Sequence, residues 1–270
     1  MRAVSEEKWR VSEHAVRNLE DWEGRQATGL EITQPSDSEC KLQEISRAHH
    51  DLMAPVRALK HLPDWIEDDS SECGTELPGT VLEHLVSIRC QSRRLESLIE
   101  GWVRYQRLEF HKHFFSEVQP ARRLGELADL ILPEGPWHFE IIGNCEVLQT
   151  DAILFDEVFF ELISNAVKHH DRFDGFIRIC ITFLKSDVSI AVSDNGPGIP
   201  DDLLSSAFTP FQTLQPRDEV EGSGLGLNFV LRAVEKLGGK VLAGRAMAGR
   251  GTMITVFLPR NGQSPPTSGV

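Results

Sequence analysis

The chain has 270 residues, 40% of them hydrophobic, and its 41 acidic against 28 basic side chains give a formal net charge of −13. That balance excludes nucleic acid as the main partner, because a phosphate backbone calls for a basic face. No apolar run reaches the ~18–20 residues needed to span a bilayer, and "MRAVSEEKWR" lacks the apolar centre of a signal peptide, so a soluble cytoplasmic protein is expected.

Residues 1–37 form a polar extension in which Trp9, Val16, Leu19 and Trp22 fall at the spacing of a short amphipathic helix. Residues 38–112 carry two long helical patterns. The first, with Ile45, Leu52, Val56, Leu59 and Ile66, runs to about Trp65, where "EDDSSECGTELPG" is expected to break it. The second, with Leu82, Leu85, Ile88, Leu95, Leu98, Ile99 and Trp102, runs toward Leu108. Two such helices make an antiparallel hairpin. A lone hairpin leaves its apolar stripes half covered, so pairing with a second copy into a four-helix bundle is the economical solution; packing on its own chain is the alternative.

Residues 113–260 mix strand-like runs, "WHFEII", "FIRICITF", "VSIAVSD" and "GTMITVFLP", with helical runs at Pro120–Leu130, Ala152–His169 and Leu225–Leu237. This mixture predicts a two-layer α/β sandwich, and an α+β chain overall. Residues 261–270, rich in Pro, Ser and Gly, have the composition of a disordered tail. Five scattered cysteines, Cys40, Cys73, Cys90, Cys145 and Cys180, show no CxxC spacing; they fit packed thiols better than a disulfide frame or a zinc site.

Three stretches carry chemistry. In "AVSDNGPGIPDD" the alternation of Val188, Ile190 and Val192 places Asp194 on the buried side of a strand, followed by Gly196 and Gly198. A buried carboxylate is costly without a partner, which points to a ligand; an ordinary Asn-Gly turn satisfying local backbone groups is the equal alternative. On the helix from Ala152, Glu157, Glu161, Asn165 and Lys168 follow one stripe beside a wide apolar face. Glu161 and Asn165 are oxygen ligands suited to Mg²⁺ and Lys168 offers a charge to phosphate, although a solvated face is the commoner fate of such a stripe. "EGSGLGL" opens a helix and exposes amides of the kind that bind phosphate. Neither the dinucleotide fingerprint nor the P-loop fits these glycines: the spacing is GxGxG, and Arg250-Gly251 stands where a P-loop has Lys-Ser/Thr.

In order, "ELISNAVKHHD", "DNGPGIP", "FTPFQTL", "GSGLGL" and "GRGT" closely resemble the N, G1, F, G2 and G3 boxes of the sensor histidine kinase catalytic domain, a Bergerat ATP-binding fold. Upstream, "AHHDLMAPVRALK" resembles the H-box of the dimerisation and phosphotransfer hairpin, in the form found in phytochrome-like kinases. The resemblance covers about residues 40–258. It implies a homodimeric, ATP- and Mg²⁺-dependent histidine autokinase that passes its phosphoryl group to an Asp of a response-regulator receiver domain. His50 aligns with the phosphorylated histidine, and Asp51 with the acid/base position. Asp194 would accept the adenine amino group, with Gly196 and Gly198 shaping the base pocket and Thr252 nearby through water. Asn165 would coordinate the metal, Glu161 would orient the metal or its water, Lys168 would contact phosphate, and His169 would neighbour the nucleotide. Gly222, Gly224, Leu225 and Gly226 would wrap the phosphates, and Phe208 and Phe211 would flank a lid at 209–223. Pro55 is expected to kink the first helix beside His50. Ala54 stands where many relatives carry Thr or Asn, which implies weak phosphatase activity toward the regulator. His111 and His113, two apart and on different faces if helical, are not expected to form a metal pair. With only a short region ahead of the hairpin, input is expected from another polypeptide or from that region. A non-catalytic scaffold of the same fold, binding ATP or the regulator, is the competing reading.

Overall fold

The computed structural model describes residues 37–144, 146–213, 223–246 and 249–262, so the expectations for the N-terminal extension and for the tail beyond 262 lie outside the described residues. Helices α1 (Asp37–Glu72) and α2 (Gly79–Glu109) form the hairpin. The expected break near Trp65 is corrected, because α1 continues through the acidic stretch to Glu72. Arg89 of α2 holds the first of those charges, reaching Glu67 Oε2 at 2.6 Å, together with the preceding Asp64, whose Oδ1 lies at 2.7 Å. The chain turns at Gly74, whose φ of +63° is open to a residue without a side chain. Pro55 and Pro63 are both contained in one continuous helical element. Each lacks an N–H, which leaves the carbonyl four residues earlier, that of Asp51 or Leu59, without its usual helical donor.

The hairpin's own core is small. Met53, Val56, Ile99 and Val103 are buried together, with Ile45 and Trp102 against them. Leu59, Leu62, Trp65, Leu82, Val86 and Leu95 stay exposed, Trp65 at 56%.

The rest of the described chain is a sheet covered by three helices, the two-layer α/β sandwich expected of residues 113–260. Strands β2 (His138–Gly143), β4 (Phe176–Phe183), β5 (Asp187–Asp194), β6 (Lys240–Arg245) and β7 (Thr252–Pro259) pair in the order β2-β4-β5-β7-β6. The β2–β4 pair is parallel and the others are antiparallel. A separate ribbon pairs β1 (Phe115–Val118) with β3 (Leu148–Asp151). Helices α3 (Pro120–Ile131), α4 (Ala152–Lys168) and α5 (Gly226–Lys236) complete the unit. Along β4 and β5 every second residue is buried: Ile177, Ile179 and Ile181, then Val188, Ile190 and Val192. These meet Phe155, Phe159 and Ile163 of α4 and Phe229, Val230 and Val234 of α5 in one core. The helix residues recur about one turn apart and the strand residues at every second position, so each element presents a single apolar face to the same interior.

Asp151 fixes where α4 begins. Its Oδ1 accepts from the N–H groups of Ile153 and Leu154 at 3.1 and 3.2 Å, while Oδ2 accepts from Phe114 N–H at 2.9 Å and lies 2.8 Å from His111 Nε2. One carboxylate, 1% exposed, thus ties the end of the hairpin, the β1–β3 ribbon and the start of α4. His113, whose Nδ1 lies 4.0 Å from the same carboxylate, stands beside His111 there, because residues 111–114 belong to no helix and so do not face opposite ways. Burial by itself would raise the Asp151 pKa, but the Phe114 N–H and the His111 ring more than offset that, so the carboxyl titrates below its ordinary value. A depressed carboxylate contributes stability above its unfolded pKa and loses it as pH falls through the folded one. Asp151→Ala is therefore expected to lower the unfolding free energy at pH 7 by about 2–4 kcal/mol, from a lost helix cap and stranded buried donors. Urea titrations should show the gap between variant and wild type narrowing in acid; a gap that widens would contradict this account.

Candidate functional site

The polar stripe of α4 faces a cavity of about 670 Å³, bounded by α2, α4, α5 and the ends of β5 and β7. Of the residues singled out in the sequence, Glu161, Asn165, Lys168, His169, Asp194, Gly198, Gly224, Leu225, Gly226 and Thr252 line it. Gly222 lies outside the described residues, as do 214–222 of the expected lid. Glu157 is not part of the lining; burial raises its pKa against the pull of Arg104 and His111. The same helix supplies both core and site, its apolar side buried among Phe155, Phe159 and Leu162 while the stripe through Glu161, Asn165 and Lys168 borders the cavity.

Asp194 closes one end of the cavity. Its Oδ1 accepts from Gly196 N–H at 2.8 Å and from Thr252 N–H at 3.3 Å. Desolvation nevertheless dominates, and the carboxyl titrates above its ordinary value. The turn satisfies one Asp194 oxygen locally, as the second reading of this stretch expects, and the residue also borders the cavity. Gly196 works through that backbone bond and does not itself line the cavity. Gly251, at φ +95°, packs so closely that a Cβ would stand 1.9 Å from the Asp194 carbonyl oxygen. Gly198, at φ +76°, packs in turn against the Gly251 carbonyl. Thr252 Oγ1 accepts from Ile199 N–H at 3.2 Å, which joins the loop after β5 to the start of β7.

The other end is built by the glycine turn. Gly224 has a φ of +67°, and its carbonyl accepts from the N–H of Phe211 at 2.9 Å. Phe211, half exposed and itself at φ +62°, supports this turn without lining the cavity. Gly226 is the first residue of α5, and a Cβ there would fall 2.1 Å from Glu161 Oε1. The absence of that side chain lets the Glu161 carboxylate sit against the positive end of α5.

Sequence reasoning missed the wall that α2 contributes through Ser97, Glu100, Gly101 and Arg104. Arg104 Nη2 donates to Glu161 Oε2 at 2.5 Å, and the guanidinium stacks on Phe229 at 4.1 Å from the ring centre. At Gly101 a Cβ would meet Ser223 Oγ at 2.9 Å and Leu225 Cδ1 at 3.1 Å. A glycine inside a long helix, costing about 1 kcal/mol relative to alanine, was the available signal of a close approach.

His50 and Asp51 stand on α1, exposed, with His50 Nδ1 3.3 Å from Asp51 Oδ1. Neither lines the cavity. The hairpin register, set by Lys60 to Glu96 and by Arg89 to Asp64, brings His50 level with the turn of α2 around Arg104. Chemically, the cavity offers hard oxygen donors on α4, a carboxylate at the far end, and a glycine turn at a helix start. Among the described residues no cluster of three or more His, Cys, Asp or Glu could hold a metal by itself. Asn165 and Glu161 suit Mg²⁺, which typically takes one or two protein oxygens together with phosphate oxygens.

Residues 150–262 match the family of histidine kinase-, DNA gyrase B- and HSP90-like ATPases. The chain is 28% identical over 234 residues to the signal transduction histidine-protein kinase AfsQ2 of Streptomyces coelicolor, covering 82% of this chain and 42% of that protein. It is 27% identical over 199 residues to cyanobacterial phytochrome B of Nostoc sp., covering 72% of this chain and 26% of the relative. The chain thus spans less than half the length of these curated relatives. In fold it is similar to full-length ShkA crystallised with AMPPNP, at a TM-score of 0.59 and 20% identity, over 83% of this chain and 47% of that one. It is also similar to histidine kinase ThkA in complex with the response regulator protein TrrA, at a TM-score of 0.55 and 18% identity, over 83% and 64% respectively. No described helix is long and apolar enough to cross a membrane. With the fold, the cavity and these relatives in agreement, residues 150–262 form an ATPase domain of the histidine kinase-like kind, and the chain around it is similar to sensor histidine kinases.

Proposed function

We propose that the chain is an ATP-dependent histidine autokinase that phosphorylates His50 and passes the phosphoryl group to an Asp of a response-regulator receiver domain. The observation that carries this reading is the meeting of Asn165, Lys168, Asp194, Gly224 and Thr252 around one cavity walled by the hairpin that bears His50. Asp194 accepts the adenine amino group, and the amides at the start of α5 with Lys168 hold the phosphates. Asn165, joined by Glu161, holds Mg²⁺, which offsets polyphosphate charge during transfer. His50 Nδ1–H is directed to Asp51, which leaves the Nε2 lone pair to attack the γ-phosphorus. The N–P bond forms as the bond to the ADP oxygen breaks, ADP keeps that electron pair, and the ring proton passes to Asp51 or water. Phosphoryl transfer then follows to a receiver carboxylate, a partner class supported by the complex formed by ThkA.

The apolar side chains left exposed on the hairpin, from Leu59 and Trp65 to Val86 and Leu95, support a homodimer in which a second hairpin covers them. The hairpin of residues 38–112 is then the dimerisation and phosphotransfer domain, and residues 113–260 are the catalytic domain. The cavity touches α2 while His50 stands outside it, so the arrangement described is a resting one. Glu161 is engaged by Arg104 and must be released before it joins Asn165 at the metal.

Three measurements test this. Incubation with γ-labelled ATP and Mg²⁺ is expected to give acid-labile, base-stable label, lost in both His50→Ala and Asn165→Ala; nucleotide binding without label would favour the non-catalytic scaffold. Arg104→Ala is expected to raise the basal labelling rate roughly fivefold, the equivalent of about 1 kcal/mol for a partly exposed ion pair. An unchanged or lowered rate would remove the resting-state role. The third is the pH dependence of ATP affinity. Donation from the adenine amino group favours the ionised form of Asp194, so its pKa falls on binding and affinity rises as pH passes upward through the raised pKa of the free protein. Calorimetry should show this dependence in wild type and not in Asp194→Asn.

A further inference from the structure

The sequence His170-Asp171 and the residue Arg250 have no part in the reaction just described, yet they converge on the base end of the cavity. Arg250 sits in the turn before β7, between Gly249 at φ +81° and Gly251 at φ +95°. Its Nη2 donates to Asp171 Oδ2 at 2.5 Å, and its Nη1 donates to the Asn195 carbonyl oxygen at 3.1 Å. The side chain of Asn195 is held as well, its Oδ1 accepting from Phe176 N–H at 2.7 Å and lying 2.8 Å from His170 Nε2. An amide oxygen only accepts, so His170 donates from Nε2, while its Nδ1 is met by the Arg172 N–H at 3.1 Å.

Asn195 is the residue after Asp194, and Thr252, two beyond Arg250, donates its N–H to Asp194 Oδ1. One guanidinium therefore joins three segments, 170–172, 194–199 and 249–252, around the carboxylate that faces the base. Arg250 does not line the cavity. Its fork is directed to a carboxylate and a carbonyl at once, a geometry that a lysine cannot reproduce.

We propose that Arg250 is a positioning residue that sets nucleobase selectivity by fixing the backbone on both sides of Asp194. The inference rests on the reading of Asp194 as the acceptor of the adenine amino group. A carboxylate held in place rejects a base that carries an oxygen at that position, because two acceptors are then forced together without a donor. A carboxylate free to withdraw loses that rejection along with the bond to the amino group. Removing Arg250 thus lowers affinity for the amino purine more than for its oxo analogue.

The test is direct binding of ATP and of inosine triphosphate, which has oxygen in place of the amino group, to the full chain with Mg²⁺. Wild type should prefer ATP by at least about tenfold, the worth of one well-made hydrogen bond. In Arg250→Ala that ratio should fall at least about threefold, mainly through weaker ATP binding, and Arg250→Lys should lie between. Asp171→Asn, which removes the ion pair and keeps the bond to Asn195, gives a second variant should Arg250→Ala fail to fold, and it should reduce the ratio in the same direction. An unchanged ratio in Arg250→Ala and Asp171→Asn, or equal loss of both nucleotides, would overturn the proposal. A wild-type ratio near one, or a ratio unaffected by Asp194→Asn, would instead overturn the assignment of Asp194 on which it rests.

Discussion

Helix α4 has to satisfy two media at once, and the rest of the structure follows from that constraint. Its apolar side, Phe155, Phe159 and Ile163, is fully buried against the sheet and neighbouring helices, so its axis and rotation are fixed by close packing. Its start is fixed separately by the Asp151 cap. Once both are set, no freedom remains in where Glu161, Asn165 and Lys168 project. Their position along the cavity is a consequence of core packing, not of contacts among themselves. A core substitution that rotates α4 would move all three together, which makes distant packing residues part of the site's geometry.

The hairpin stands in a different energetic regime. Its buried cluster of four residues is small for helices of this length, and much of its apolar surface remains exposed. Charge pairs supply register in place of burial: Arg89 between Asp64 and Glu67, and Lys60 with Glu96. Such exposed pairs contribute little each, so they specify alignment more than they stabilise. The result is a helical element whose full stability awaits a further surface, joined to a unit that has already completed its core.

The same contrast explains what was legible in the sequence. The alternation in "FIRICITF" marks β4 residue for residue, and the three-and-four spacing of α4 marks its length and its polar stripe, because each pattern reports a one-sided core. Strands β1 and β3, four residues each, and the edge strand β6 carry too short or too exposed a pattern to announce themselves. The first helix runs on into its acidic stretch, where Glu67 pairs with Arg89 of α2, a partner that no local pattern encodes. For the site, glycines and the Asp194 parity identified the residues that approach the cavity through their own backbone. Arg104 and Arg250 escaped notice because each acts through a partner more than 50 residues away, Glu161 in one case and Asp171 in the other.

Those two arginines divide the cavity into ends of different character. At the Asp194 end, Arg250 binds a backbone carbonyl as well as a carboxylate, and Gly198 and Gly251 pack the backbone too closely for a Cβ. At the end where α5 starts, Arg104 reaches Glu161 through side chains alone, across a seam between separate helices. A backbone-stitched contact resists exchange, whereas a side-chain ion pair can be traded for another charge without disturbing either helix. On the proposed function, a site of this kind would hold the nucleobase in a fixed geometry and remake its contacts at the phosphates. Under that proposal binding and reactivity are separable, because the contacts around Asp194 are not the ion pair between Arg104 and Glu161 that would have to change.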